Sequence, residues 1–304
     1  MAVSKSFREI AIANSKKQPD MVDQVLEEAP ILANLPMQAA SHGLWNMFEE
    51  QKAVTGAGLV DFDDELSEVD SLTELQQVDL SILGGKIYCG EDKARKFGSF
   101  SNYIQTKLPA ILSQTGMDTE YSIIYNNLRQ YAIDSSKYSL AGGSSNANYS
   151  IICVNWKPGQ LTGLFDPDGF GKGALMDIAP ISNGGLIERT VSGKSILQYG
   201  ARLKSYVGIQ LANPRYISSL CNVDTSNVPT EAEMDNLIGD SRATSGRSFL
   251  YMHPKVLTML YAYKSSALSI TNAEQAKDRR IVEWNGIPIV TSYNFLDGTE
   301  TNVA

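Results

Sequence analysis

Apolar positions in the first thirty residues are sparse and fall on one stripe. Val22, Val25, Leu26 and Ala29 recur at helical spacing behind Asp20, which predicts a capped helix that Pro30 ends. The two prolines of "PILANLP" (30–36) then predict extended chain. Two strands are predicted over "SHGLWNMFEEQKAV" (41–54) and "LTELQQVDLSILGGKIYCG" (72–90). Between them Gly56 and Gly58 precede a run of Asp61, Asp63, Asp64, Glu65, Glu68 and Asp70. This reads as a long hairpin with a flexible acidic tip, and a loop of that length without its own core is usually either functional or mobile. Ile104, Leu108, Ile111 and Leu112 then follow helical spacing up to a stop at Gly116, with Pro109 imposing a kink or a later start. Asp118 or Thr119 caps a second run carrying Ile124, Leu128 and Tyr131, and the two runs together predict a rod across one face.

From residue 140 the pattern turns to β. "NYSIICVNW" (148–156) reads as a buried strand, and "LKSYVGIQLANPRYISSLCNV" (203–223) as a long β segment broken at Asn213-Pro214. Thr230 and Glu233 form a capping box, and "HPKVLTMLYAY" (253–263) is a helix with Pro254 in its first turn. Thr271 and Glu274 cap another turn before closing strands at 280–284 and 287–292. No internal repeat interrupts this order.

Composition narrows the function classes. A chain of 304 residues can bury a sizeable core, and 43% apolar with 20% charged residues is ordinary for a globular protein. No apolar run reaches the length of a membrane span, and "MAVSKSFREIAIANSKKQPD" (1–20) lacks the apolar core and cleavage site of a signal peptide. Cys89, Cys153 and Cys221 are dispersed and unaccompanied by His, which predicts reduced core residues made in a cytoplasm. The formal charge of −8, without a basic stripe, argues against nucleic-acid recognition. A wall that merely confines nucleic acid is better neutral or acidic.

Candidate chemistry is thin. His42 and His253 are the two histidines, neither in a familiar nucleophile arrangement, and no G-x-S-x-G elbow is present. "GFGKGA" (169–174) lacks the spacer and hydroxyl of a phosphate loop. "LAGGSSNAN" (140–148) has the flexibility of an anion loop but no following helix, so it reads as a linker. Asp61, Asp63 and Glu65 mimic calcium-loop spacing, yet Leu66 stands where such a loop needs Gly and Leu72 where it needs a bidentate Glu. No catalytic, cofactor or metal residues are assigned.

The ordered segments nevertheless resemble a known family. "EEAPILANLPM" (27–37), "LSILGGKIYCGED" (80–92), "VNWKPGQLTGLFDPDGFGKGALMDI" (154–178) and "YVGIQLANPRYISSLCNVD" (206–224) are similar to segments of tailed-bacteriophage major capsid proteins of the Hong Kong 97-type fold. So are "SFLYMHPKVLTMLYAYKSS" (248–266) and "RIVEWNGIPIVTSYNFLDGTET" (280–301), which close the sequence in the way of the reordered topology of some short-tailed phages. The resemblance implies an α+β fold with an N-terminal arm (1–36), an extended β-hairpin loop (37–91), a peripheral domain with a long spine helix and strands (92–224) and an axial domain (225–304). It implies no enzyme, but a structural virion protein, made in the host bacterial cytoplasm, that self-assembles into pentamers and hexamers. These form an icosahedral shell around packaged double-stranded DNA, with scaffolding, portal and decoration proteins as partners and no membrane. Leu44, Trp45, Met47 and Phe48 on the hairpin, and Asp61, Asp63, Asp64 and Glu65 at its tip, are the expected inter-subunit contacts. An encapsulin-like compartment shell is the alternative, and a hydrolase with dispersed catalytic residues is a third reading.

Overall fold

Pro30 starts a helix rather than ending one. A proline at the first helical position gives up an N–H that has no intrahelical acceptor, and α1 (Pro30–Asn34) follows where extended chain was expected. The computed structural model describes residues 5–6, 28–62, 64–167, 176–261 and 282–303; most of the helix expected after Asp20 lies outside them. Ile31 and Leu32 of α1 are buried, so the body of the protein, not the local sequence, selects this short helix. Next comes β2 (Pro36–Ala39), which pairs antiparallel with β1 (Lys5–Ser6).

The expected hairpin is present as β3 (Trp45–Thr55) and β4 (Asp70–Asp79), antiparallel in a two-stranded sheet of their own. The return strand, expected as one run, is two. At Leu80 the chain leaves β3, and β5 (Ser81–Gly90) pairs instead with β11 (Lys194–Leu211). The Leu80 N–H closes the hairpin base on the carbonyl of Leu44 at 2.8 Å. Gly208 makes room for Leu80, because a Cβ there would lie 2.7 Å from its Cδ2.

After α2 (Glu91–Lys96) the expected rod is continuous: α3 (Phe100–Ser122), a π-helical segment (Ile123–Arg129) and α4 (Gln130–Asp134). Ser99 caps it by accepting from the Asn102 N–H at 3.1 Å. Gly116 does not stop it, and neither Asp118 nor Thr119 caps a second helix. Leu112, Gly116, Glu120, Ile124 and Leu128 form a buried i, i+4 stripe, so tertiary packing carries the helix through the glycine. Pro109 lies inside the helix on its exposed side.

Two larger sheets flank the rod. The seven-stranded sheet runs β1-β2-β8-β11-β10, with β5 and β9 also paired to β11; β8 is Leu161–Phe165, β9 Met176–Pro180 and β10 Ile187–Val191. The six-stranded sheet runs β14-β15-β13-β7-β12-β6. Its strands are β6 (Tyr138–Leu140), β7 (Tyr149–Asn155), β12 (Ile217–Val223), β13 (Ser248–Met252), β14 (Glu283–Trp284) and β15 (Ile287–Thr291). This sheet draws strands from both sides of the boundary expected at 224/225.

All seven residues of β7 are buried because helices cover both faces. Ile152 and Val154 meet Ile124, Leu128 and Ala132 of the rod. Ile151 and Cys153 point the other way, onto Met234 and Leu237 of α5 (Glu231–Asp240) and Val256 and Leu260 of α6 (Pro254–Leu260). Each such side chain contributes about 1.5–3 kcal/mol of hydrophobic stabilisation. The Thr230–Glu233 capping box and Pro254 in the first turn of α6 stand as expected. The Thr271–Glu274 turn and the "GFGKGA" loop lie outside the described residues.

Candidate assembly surface

The root of the hairpin is anchored to the body. Buried Asn46 donates from Nδ2 to Gln210 Oε1 on β11 at 2.6 Å and accepts the Ser41 N–H at 2.9 Å. Beyond that anchor Glu50 still faces Tyr131 on the rod, and toward the tip the return strand is exposed from Asp70 to Leu75. Leu44 and Met47 are exposed, whereas Trp45 and Phe48 are half-buried. Trp45 stacks on His42 with ring centroids 3.9 Å apart. The four expected apolar contacts therefore divide into two that face solvent and two that partly brace the hairpin root.

At the tip, Asp61, Asp64 and Glu65 are exposed, and Asp63 lies outside the described residues. Asp61 Oδ1 accepts the N–H of Phe62 at 3.0 Å, and the Asp64 N–H closes a turn on the Asp61 carbonyl at 3.2 Å. None of the tip carboxylates forms an ion pair among the described residues. Sequence reasoning read this run for its acids and missed what lies between them. Leu59, Phe62 and Leu66 are 108%, 96% and 83% exposed, and Val69, Leu72 and Leu75 continue the apolar series. The signal was in the sequence, as large apolar residues punctuating an acidic run without helical or strand period. Gly56 and Gly58 have no atom close enough to constrain them.

Behind the hairpin, the chain after β15 is strapped along the rod. Glu120, fully buried, accepts from the N–H groups of Ile31 and Leu32 at 2.7 and 3.3 Å, from Ser292 Oγ, and from Asn294 Nδ2 at 3.0 Å. Five residues on, Tyr125 OH donates to Glu300 at 2.6 Å and accepts the Leu296 N–H at 2.8 Å. Glu300 also accepts from Ser150 Oγ and lies 3.4 Å from Arg129 Nε. Burial pushes the carboxyls of both Glu120 and Glu300 above their ordinary range, against the donors that favour the charged form.

The histidines serve structure. Ser41 Oγ lies 2.8 Å from His42 Nδ1, a neighbour the sequence reading did not foresee, but Ser41 Oγ also accepts the Met47 N–H and the ring is committed to Trp45. His253 caps α6 by accepting the Lys255 N–H at 3.1 Å. Among the described residues no group of three or more His, Cys, Asp or Glu is placed to hold a metal.

Comparison with known proteins accords with this geometry. A chain of the bacteriophage Epsilon15 structure superposes with a TM-score of 0.57 at 16% identity, covering 88% of each chain. A chain of the bacteriophage JBD30 capsid gives 0.50 at 7% identity, over 85% of this chain and 88% of that one. No match was found among curated proteins. The family model described as "Major capsid protein GP7" matches residues 115–304, more than half of the chain. The match takes in most of the rod, the whole six-stranded sheet, β8 to β11 of the seven-stranded sheet and the strap. The chain belongs to the major capsid protein GP7 family, a family of structural capsid proteins, with a Hong Kong 97-type fold.

Proposed function

We propose that the protein assembles into pentamers and hexamers that close an icosahedral head around packaged double-stranded DNA. The observation that carries this reading is the hairpin tip, whose Leu59, Phe62 and Leu66 have no cover among the described residues. A neighbouring copy supplies it through a heterologous, ring-closing contact. Gly56 and Gly58 let the tip adjust between five-fold and six-fold surroundings. The tip acids, with Leu44, Trp45, Met47 and Phe48 along the strands, complete the contact surface. A matching charge exists on the same chain: Lys93, Arg95 and Lys96 stand exposed on α2.

The arm (1–36), hairpin (37–91), peripheral (92–224) and axial (225–304) divisions are proposed with them, the axial part holding β13 to β15 with α5 and α6. A separate scaffold, a portal and decoration proteins are the proposed partners, and DNA is enclosed without sequence-specific contacts, in keeping with the charge of −8. The family match favours a virion shell over an encapsulin-like compartment.

The test reverses Asp63, Asp64 and Glu65 to Lys and follows shell yield by electron microscopy across ionic strength. Wild-type assembly is expected to weaken with salt and the reversed variant to assemble poorly at low salt, as screened surface charges require. Assembly indifferent to both changes would remove the tip charges from the contact. Nucleic acid extracted from native particles supports the head; enzyme cargo in its place supports the compartment.

A further inference from the structure

The linker at 140–148 turns acceptors inward. The Gly143 N–H is spent on the carbonyl of Asn222 at 2.9 Å. Beside its Cα, at the point a Cβ would occupy, three oxygens converge: Asn222 O at 2.5 Å, Asn148 Oδ1 at 2.7 Å and Asp224 Oδ2 at 3.0 Å. No side chain fits there, which explains the glycine. Asn148 is fully buried; its Nδ2 donates to the Ser145 carbonyl at 2.5 Å, while its Oδ1 has no partner among the described residues. Asn227 Oδ1 lies at the rim, 3.3 Å from the corresponding point of Gly142.

The surroundings hold these atoms in place. Asn222 sits at φ 58 where β12 shifts register between Leu220 and Val223, which turns its carbonyl out of the ladder. Its side chain exchanges two hydrogen bonds with Val303, at 2.8 and 2.9 Å. Asp224 Oδ1 accepts the Ser226 and Asn227 N–H groups at 2.7 Å each, leaving Oδ2 with only Asn227 Nδ2 at 3.1 Å. Asp224 supplies the one carboxylate among these oxygens.

We propose that Asn148 Oδ1, Asp224 Oδ2 and the Asn222 carbonyl hold a hard cation of calcium size beside Gly143. An all-oxygen donor set of mostly neutral carbonyls suits calcium rather than a transition metal. Ser144 to Ala147 are exposed, so waters that complete its coordination would enter from that side. With a single carboxylate, affinity is weak, in the range of about 0.1–1 mM. The bound ion joins the linker, the end of β12 and the 224–227 turn, and through Asn222 and Val303 it steadies the end of the strap.

The experiment uses the full chain, stripped with EDTA and titrated with calcium chloride to about 10 mM, well above that affinity. Equilibrium dialysis is expected to show one saturable calcium per chain, with a matching rise in melting temperature. Asp224→Asn weakens binding at least about tenfold, and Asn148→Asp, which adds a second carboxylate, strengthens it by a similar factor. Should Asp224→Asn fail to fold, wild type and Asn148→Asp decide the matter. Absence of bound calcium at the top of the titration overturns the site, as does equal stabilisation by magnesium or by sodium chloride at matched ionic strength.

Discussion

Glu120 occupies a helix position where pattern alone expects a solvated acid, yet it lies beneath Ile31, Leu32, Ser292 and Asn294. Truncation to Ala strands two buried backbone N–H groups and two side-chain donors. Each costs about 1–3 kcal/mol when left without a partner. Glu120→Ala is therefore expected to lose at least about 3 kcal/mol in calorimetric or denaturant unfolding. Glu120→Gln keeps an oxygen for the Ile31 and Leu32 N–H groups and an amide that Ser292 Oγ can accept, so it loses less. The pH dependence has a definite sign. Burial raises the folded-state pKa, so the native protein binds this proton more readily than the unfolded chain. Its stabilisation is fully present below the unfolded carboxylate pKa and is lost as pH rises through the raised value. Wild type should thus gain on Glu120→Gln as pH falls from neutrality toward 5. His253, held below its ordinary pKa by burial, works in the opposite direction as acid charges it. It does so equally in both proteins and cancels in the comparison. A gap between them that is flat with pH would mean Glu120 titrates as it does in the unfolded chain.

The strap and the rod hold one another as elements. Strap residues 292–301 reach Glu120, Tyr125 and Arg129, and these contacts span the π-helical segment. π-Helical turns seldom persist on backbone bonding alone. Phe295 adds a buried ring to the core shared with Ile124 and Leu128. Phe295→Ala is expected to cost about 3–5 kcal/mol. Deleting residues 293–304 removes both the ring and Glu300, and should abolish shells by unfolding subunits rather than by weakening contacts between folded ones. Circular dichroism of the unassembled protein separates the two. The elements legible in the sequence were those specified locally. The hydrophobic run of β7, the Thr230–Glu233 box and the paired strands of the hairpin are examples. Pro30, Gly116 and Leu80 were misread because their roles are set by distant partners. α1 exists because Ile31 and Leu32 are buried against the body, and the rod passes through Gly116 because its stripe is buried. The chain changes sheets at Leu80 because β11 offers an edge. At the candidate surface, the acids were found by charge, whereas the exposed apolar residues among them needed the absence of a surrounding core to stand out.

At the scale of the whole molecule, stability and adhesion are carried by different parts. The rod, the two large sheets and the strap share continuous cores, while the hairpin beyond Asn46 adds little to them. Substitutions at the tip should then separate folding from assembly. Leu59→Ser, Phe62→Ser and Leu66→Ser together are expected to leave the melting temperature of unassembled subunits nearly unchanged, each shifting stability by less than about 0.5 kcal/mol. Shell yield, in contrast, should fall sharply, because the apolar area that a neighbour covers is gone. The same division predicts how a protease sees the protein. Glu65 and Glu68 lie on exposed chain at the tip, open to cleavage by a glutamate-specific endoprotease. Unassembled subunits should be nicked there first, with the body left whole. In closed shells the tip lies against a neighbour, and cleavage should slow at least about tenfold if subunit contacts are worth more than about 1.4 kcal/mol at that position. Equal rates in subunits and shells would place the tip in open solvent in both, leaving the apolar residues between its acids without a partner.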